Sequence, residues 1–219
     1  MSRFFKEIFV FAGPNGSGKS TVIKAFLESG ACPDEYICPD NLVPVDKKED
    51  PAAYMEAMIL AEEQRMENLN CGKSFTFETV LSTESKIDFL KKAKEKGFRI
   101  TAIYITTCNP RINYERVTIR KKQGGHGVPK DKVYSRYDKS MKLMADVIDL
   151  ADEAEVYDNS FSYPIQVFEK NEYAEVILLN REQRNRWVDE FITKPLMKKM
   201  VLIHEDLTCA ETEAARNRD

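Results

Sequence analysis

Two histidines and five cysteines without a C-x-x-C pair leave this sequence poorly equipped for a structural zinc site. The cysteines (Cys32, Cys38, Cys71, Cys108 and Cys209) are odd in number, which fits reduced thiols in a cytoplasmic protein better than a disulfide framework. No stretch approaches the roughly 18 apolar residues of a membrane span. The apolar start leads directly into a glycine-rich loop, not a cleavage site, so no signal peptide is expected. Internal repeats and low-complexity linkers are missing too. With 33 Lys+Arg against 36 Asp+Glu, the formal charge is −3, and the positive excess that a nucleic-acid coat or a membrane-surface protein would want is absent.

What is present is a regular alternation. Phe4–Ala12 becomes a continuous apolar run from Ile8, as in a strand covered on both faces. Lys19–Leu27 has helical spacing, Glu35–Pro39 reads as a short second strand, and a long helix follows Pro51 to about Asn70. Ser74–Val80 is a third strand, Thr83–Lys96 a helix, and Phe98–Thr107 a fourth strand. Asn109-Pro110 starts a helix that reaches about Lys122; another runs from Lys130 to about Leu150. Glu155–Tyr157 is a fifth strand, and Ile165–Phe168 with Ala174–Leu179 form an antiparallel hairpin. A last helix carries Trp187 and is bent or ended by Pro195, and the charged end after Cys209 frays. At roughly 150 residues per domain, 219 residues make one α/β domain: a parallel sheet between helical layers.

Gly13-Pro14-Asn15-Gly16-Ser17-Gly18-Lys19-Ser20 fits G-x-x-x-x-G-K-[ST] and sits between a buried strand and a helix start. Glycines let the backbone N–H groups of such a loop turn inward around phosphates, and the helix N-terminus, with Thr21 in its first turn, adds its positive end. Lys19 is placed to reach the β- and γ-phosphates of ATP, and Ser20 to ligate Mg²⁺. The guanine-reading N-K-x-D motif is missing, since Asn-Lys does not occur, and so is L-S-G-G-Q, although Gln123-Gly124-Gly125 mimics its end. Val147–Glu153 resembles a Walker B strand only superficially; its apolar spacing continues the preceding helix.

Ligands of a parallel sheet collect at the carboxyl ends of its strands, where Asp40 and the pair Glu78-Thr79 fall. A carboxylate there accepts the proton of a hydroxyl acceptor or steadies magnesium through water. The competing reading of Asp40 is a turn or cap residue, because Pro39-Asp40-Asn41 is good turn chemistry. A charge at Glu78, inside an apolar strand, demands a partner. From Arg111 to Lys142 ten Lys/Arg face three acids, a local +7; from Ala145 to Glu175 nine acids face one base, a local −8. The basic segment contains Arg116 and Arg120, four apart on one helix face, and Arg136 beyond a Gly-Gly-His-Gly connection. Residues 111–142 make a helical lid that brings arginines onto a phosphoryl group; the competing reading is a solvated helix surface.

Gly13–Ser20, Asp40, Phe77-Glu78-Thr79 with Leu81-Ser82, Arg116 and Arg120, Gly124-Gly125-His126-Gly127-Val128-Pro129, Arg136-Tyr137 and Asp158-Asn159-Ser160 together resemble the zeta toxin family. The chain is most similar to its short free-standing bacterial branch, often labelled predicted ATPase, over roughly residues 5–165. The resemblance implies a three-layer, nucleotide-kinase-like P-loop NTPase fold with a helical lid, followed here by a C-terminal hairpin and helix over about 161–200. It implies transfer of the γ-phosphate of ATP to UDP-N-acetylglucosamine, with Lys19 and Ser20 holding ATP–Mg²⁺ and Asp40 as general base. Glu78 and Thr79 are placed by it near the sugar nucleotide, and Arg120 and Arg136 as lid arginines. The family also implies an antitoxin partner. Family members usually carry an arginine shortly after the aspartate, whereas Asn41-Leu42-Val43 follows here, and many have another pair in place of Pro14-Asn15.

The sequence thus supports an ATP-dependent kinase acting on a small-molecule hydroxyl. Two other classes stay open: an ATP-binding switch whose output is lid closure, and a polynucleotide 5′-kinase, against which the overall charge argues.

Overall fold

A computed structural model describes residues 5–47, 50–125, 127–180 and 186–199. The chain divides into two compact units, Met1–Arg184 and Asn185–Asp219.

In the first unit the apolar runs form the strands β1 (Glu7–Ala12), β2 (Tyr36–Ile37), β3 (Phe75–Thr79), β4 (Arg99–Thr106) and β5 (Glu153–Asp158), with the hairpin β6 (Ile165–Lys170) and β7 (Val176–Leu178). They make one seven-stranded sheet in the order β2-β3-β1-β4-β5-β6-β7. The five strands from β2 to β5 are parallel; β6 and β7 add on in antiparallel fashion. The helices are α1 (Lys19–Ser29), α2 (Pro39–Leu42), α3 (Pro51–Cys71), α4 (Ser85–Glu95), α5 (Pro110–Lys122) and α6 (Lys130–Leu150).

Side-chain alternation gives the sheet two apolar faces. Phe11, Ile103 and Ile105 meet Val22 and Ile23 of α1 on one face, with the Phe11 and Phe26 rings edge-on at 5.3 Å. On the other, Phe75 and Phe77 pack edge-on against Phe89 of α4, and the Arg65 guanidinium of α3 lies 5.5 Å from the Phe77 ring centre. Tyr104 also faces this side, where its hydroxyl bonds Ser140 of α6 at 2.7 Å. The expected P-loop architecture, a mostly parallel sheet with helices on both faces, is therefore the one observed. Caps set the helix starts as the sequence implies: Asp50 accepts the Ala52 N–H at 2.8 Å ahead of Pro51, and Asn109 accepts the Arg111 N–H at 2.9 Å ahead of Pro110.

Three details differ from the sequence reading. β2 stops at Ile37, because Pro39, pre-set for a first helical turn, opens α2; Asp40 thus rides on a short helix and not in a turn after the strand. β5 is longer than expected, since α6 ends at Leu150 and β5 starts at Glu153. In the second unit, α7 (Arg186–Val188) runs into a π-helical stretch, Asp189–Thr193, and helix continues over 194–199. Pro195 does not end it: the wider π turns relieve the clash between a proline ring and the carbonyl four residues back. Phe4, His126, His204 and Cys209 lie outside the described residues. Cys32, Cys38, Cys71 and Cys108 are free thiols, and no described helix is long and apolar enough to cross a membrane.

Candidate active site

Between β1 and α1 the Gly13–Ser20 loop makes a closed turn whose shape depends on glycine. Gly13, Gly16 and Gly18 hold φ of 143°, 77° and 96°. A β-carbon would lie 1.9 Å from the Ile105 carbonyl oxygen at Gly13, 2.4 Å from the Asn113 carbonyl oxygen at Gly16, and 2.2 Å from the Asn159 amide nitrogen at Gly18. Two asparagines brace the loop: Asn113 of α5 donates to Asn15 O and Asn159, just past β5, donates to Ser17 O, each at 2.8 Å. Asn113 is fully buried and in turn accepts from the Thr107 hydroxyl; Tyr137 of α6 donates to Thr107 O at 2.6 Å. This chain of bonds ties both α5 and α6 to the loop.

Lys19 is 8% exposed, and its ammonium donates to Gly13 O at 2.8 Å and Pro14 O at 3.1 Å. An ammonium has three protons, so one donor remains for a ligand. Burial lowers the Lys19 pKa; the Glu78 carboxylate opposes that, Arg120 adds to it, and Asp40 and Cys38 oppose it more weakly. The expected lysine, two acids and lid arginine therefore share one electrostatic neighbourhood.

Asp40 is exposed on α2, and the Tyr54 side chain of α3 lies in its neighbourhood, where burial, then the Asp40 charge, raises the tyrosine's pKa. Glu78 is half-buried at the end of β3 and accepts from the Cys38 thiol at 3.5 Å. Arg136 donates to the Asn15 side chain at 3.3 Å. Arg116 is half-buried, with one guanidinium nitrogen buried and lacking a hydrogen-bond partner. Thr79 stands apart from Glu78: it faces the opposite side of the sheet, and its hydroxyl accepts the Leu81 N–H at 3.0 Å. Ser20 and Thr21 are exposed in the first turn of α1. Tyr36, Cys38, Tyr54, Asn113 and Thr107 join the site without having been singled out in the sequence.

The residues fit a triphosphate. At the start of α1 the Thr21 N–H is taken by Gly18 O at 3.2 Å, while a helix start leaves the N–H groups of Lys19 and Ser20 without intrahelical acceptors; the N-cap is a glycine, and the hydroxyl of fully buried Ser17 lacks a partner. They also fit magnesium as an ion that arrives with the nucleotide. Ser20, Asp40 and Glu78 offer hard oxygen donors, and among the described residues no group of three or more His, Cys, Asp or Glu could hold a metal.

Comparison with known proteins gives the chain a family and a fold. An uncharacterized protein of Haemophilus influenzae is 29% identical over 60% of this chain and 92% of its own length. A chain of the AvrRxo1-ORF1:-ORF2 complex with ATP superposes with a TM-score of 0.62 at 20% identity, over 80% of this chain. The match spans only 61% of that longer chain. A chain of the PezAT chromosomal toxin–antitoxin system of Streptococcus pneumoniae gives a TM-score of 0.58 at 16% identity, over 94% of this chain and 87% of that one. Likeness at these identities shows the shared fold. The family model described as Zeta toxin matches residues 5–183, a span that takes in the glycine loop, Asp40, Glu78, α5, α6 and the bracing asparagines, and the chain belongs to the zeta toxin family.

Proposed function

We propose that this protein is an ATP-dependent phosphotransferase that moves the γ-phosphate onto a hydroxyl of a small molecule. The observation that carries the reading is the convergence of Lys19, Glu78, Asp40 and Arg120 beside the glycine loop. In this reading, α1 N–H groups, Gly13–Ser20 and Lys19 hold the triphosphate. Ser20 ligates Mg²⁺, which neutralises phosphate charge. Asp40 takes the proton of the acceptor hydroxyl as its oxygen bonds to the γ-phosphorus. The bond from that phosphorus to the bridging oxygen breaks, and ADP leaves. Arg120 and Arg136 stabilise charge on the phosphoryl in flight, a contribution commonly about 10³–10⁵ in rate. Arg116 and Glu78 line the acceptor side, and Thr79 supports the strand end. Family membership makes UDP-N-acetylglucosamine the first acceptor to try, and it makes an antitoxin the partner to seek.

Mass spectrometry of a metabolite extract incubated with protein, Mg²⁺ and ATP tests this directly. A new species heavier by one phosphate is expected, and it should vanish with Asp40→Asn. Tight ATP binding without such a species would favour the switch reading instead.

A further inference from the structure

Two carboxylates approach Lys19, and their surroundings differ. β2 and β3 pair in parallel with Tyr36 opposite Thr76 and Ile37 opposite Phe77. Because alternate side chains share a face, Tyr36, Cys38 and Glu78 fall together on the side of the sheet that carries α1. There the Cys38 thiol, 5% exposed, donates to Glu78 Oε1 at 3.5 Å, and the half-buried Tyr36 side chain neighbours both groups. Asp40, two residues on and exposed, is met by Tyr54 alone among these groups.

We propose that Tyr36 and Cys38 are positioning residues: they fix the Glu78 carboxylate on the face of the sheet that carries α1, and the exposed Asp40 is left open to take the proton of the acceptor. The division of labour rests on the phosphotransferase reading. It gives a buried cysteine and a half-buried tyrosine a task in the chemistry, one that the fold does not require of them.

The test follows ADP release from MgATP, with UDP-N-acetylglucosamine as probe acceptor and with water alone, in Tyr36→Phe, Cys38→Ala and Cys38→Ser. A hydrogen bond to a charged group corresponds to about tenfold or more in rate, so Tyr36→Phe and Cys38→Ala should each lower kcat about tenfold. KM for ATP should stay within about twofold, and Cys38→Ser, which restores a donor, should recover most of the loss. Unchanged turnover in the first two variants, or a serine variant as impaired as the alanine one, overturns the proposal. A second arm needs no acceptor: peptide-resolved iodoacetamide labelling of Cys38 should accelerate in Glu78→Gln, where the carboxylate that holds the buried thiol is replaced by a weaker acceptor. Equal labelling rates overturn the proposal. Retained turnover in Asp40→Asn would instead defeat the phosphotransferase mechanism and leave the labelling result standing.

Discussion

Gly16 is the position where one added methyl group tells most. Its φ of 77° is left-handed, and a side chain there costs about 1–2 kcal/mol in backbone conformation alone. The new β-carbon would also lie 2.4 Å from the Asn113 carbonyl oxygen, against 3.4 Å or more for an ordinary contact. The obstacle is backbone on α5, so relief requires loop and helix to part by about 1 Å. That separation pulls the Asn113 amide off Asn15 O, a bond of 2.8 Å contributing about 1 kcal/mol.

Gly16→Ala should therefore lose about 2–3 kcal/mol of stability in urea unfolding. A displacement of about 1 Å at a site of positioned groups costs on the order of 10²-fold, so MgATP affinity by calorimetry should fall 10- to 100-fold. Gly30→Ala is the control: φ there is 67°, yet a β-carbon would meet nothing within 4 Å. It should show only the backbone cost of about 1–2 kcal/mol, with nucleotide affinity intact. Equal losses of stability in the two variants, with MgATP affinity within twofold of wild type at Gly16→Ala, would refute the clash argument.

Other consequences are open to measurement. The Lys170 ammonium caps α6 through the carbonyls of Ile148, Asp149 and Ala151 at 3.1, 3.1 and 2.7 Å, so Lys170→Met should cost about 1–2 kcal/mol in urea; under about 0.3 would sink the idea. Tyr104→Phe should cost about 1–3 kcal/mol because it orphans the buried Ser140 hydroxyl, whereas adding Ser140→Ala should recover much of that loss; simple additivity would contradict it. Lys73 and Asn68 lower the Glu35 pKa, and Lys94 with the Ile100 N–H lowers that of Asp152 despite its burial. Their stabilisation is complete above their unfolded values of 4.5 and 3.8 and is lost as pH falls through the lower folded values. Thermal midpoints should therefore drop on acidification below 4.5, less steeply in a Glu35→Gln/Asp152→Asn variant.

The glycine loop was legible because everything it needs is local: a buried strand, a glycine spacing and a helix start within one short segment. Glu78 announced itself as a charge in an apolar strand. The groups that meet it did not, because the pairing of β2 with β3 decides that Tyr36 and Cys38 share its face, and two strand residues carry little pattern. The bracing role of the two asparagines was hidden by distance along the chain: Asn113, unnoticed in the sequence, and Asn159, noticed only within Asp158-Asn159-Ser160, lie 98 and 142 positions from the loop residues they hold. Their signal was polar identity at positions the fold buries or half-buries, which only the finished topology reveals. Asp40 was placed on the correct side of the sheet but on the wrong local structure, since Pro39 permits a turn and a helix start equally.

The opposed charge segments divide between two tasks, and the division explains why a net charge of −3 is compatible with an anion site. Part of the acidic stretch serves architecture: Asp152 pairs with Lys94, while Glu153 and Glu172 both meet Arg99. These bonds tie β4, α4 and the hairpin together away from the glycine loop. Within the basic stretch Arg111 is matched locally by Glu115. Arg120 and Arg136 instead come from opposite sides of the lid connection to the neighbourhood of Lys19 and Asn15. A uniformly basic protein would attract polyanions over its whole surface. Here the negative segment suppresses that general attraction, and positive charge gathers where two helices and a loop meet, at a scale suited to one triphosphate.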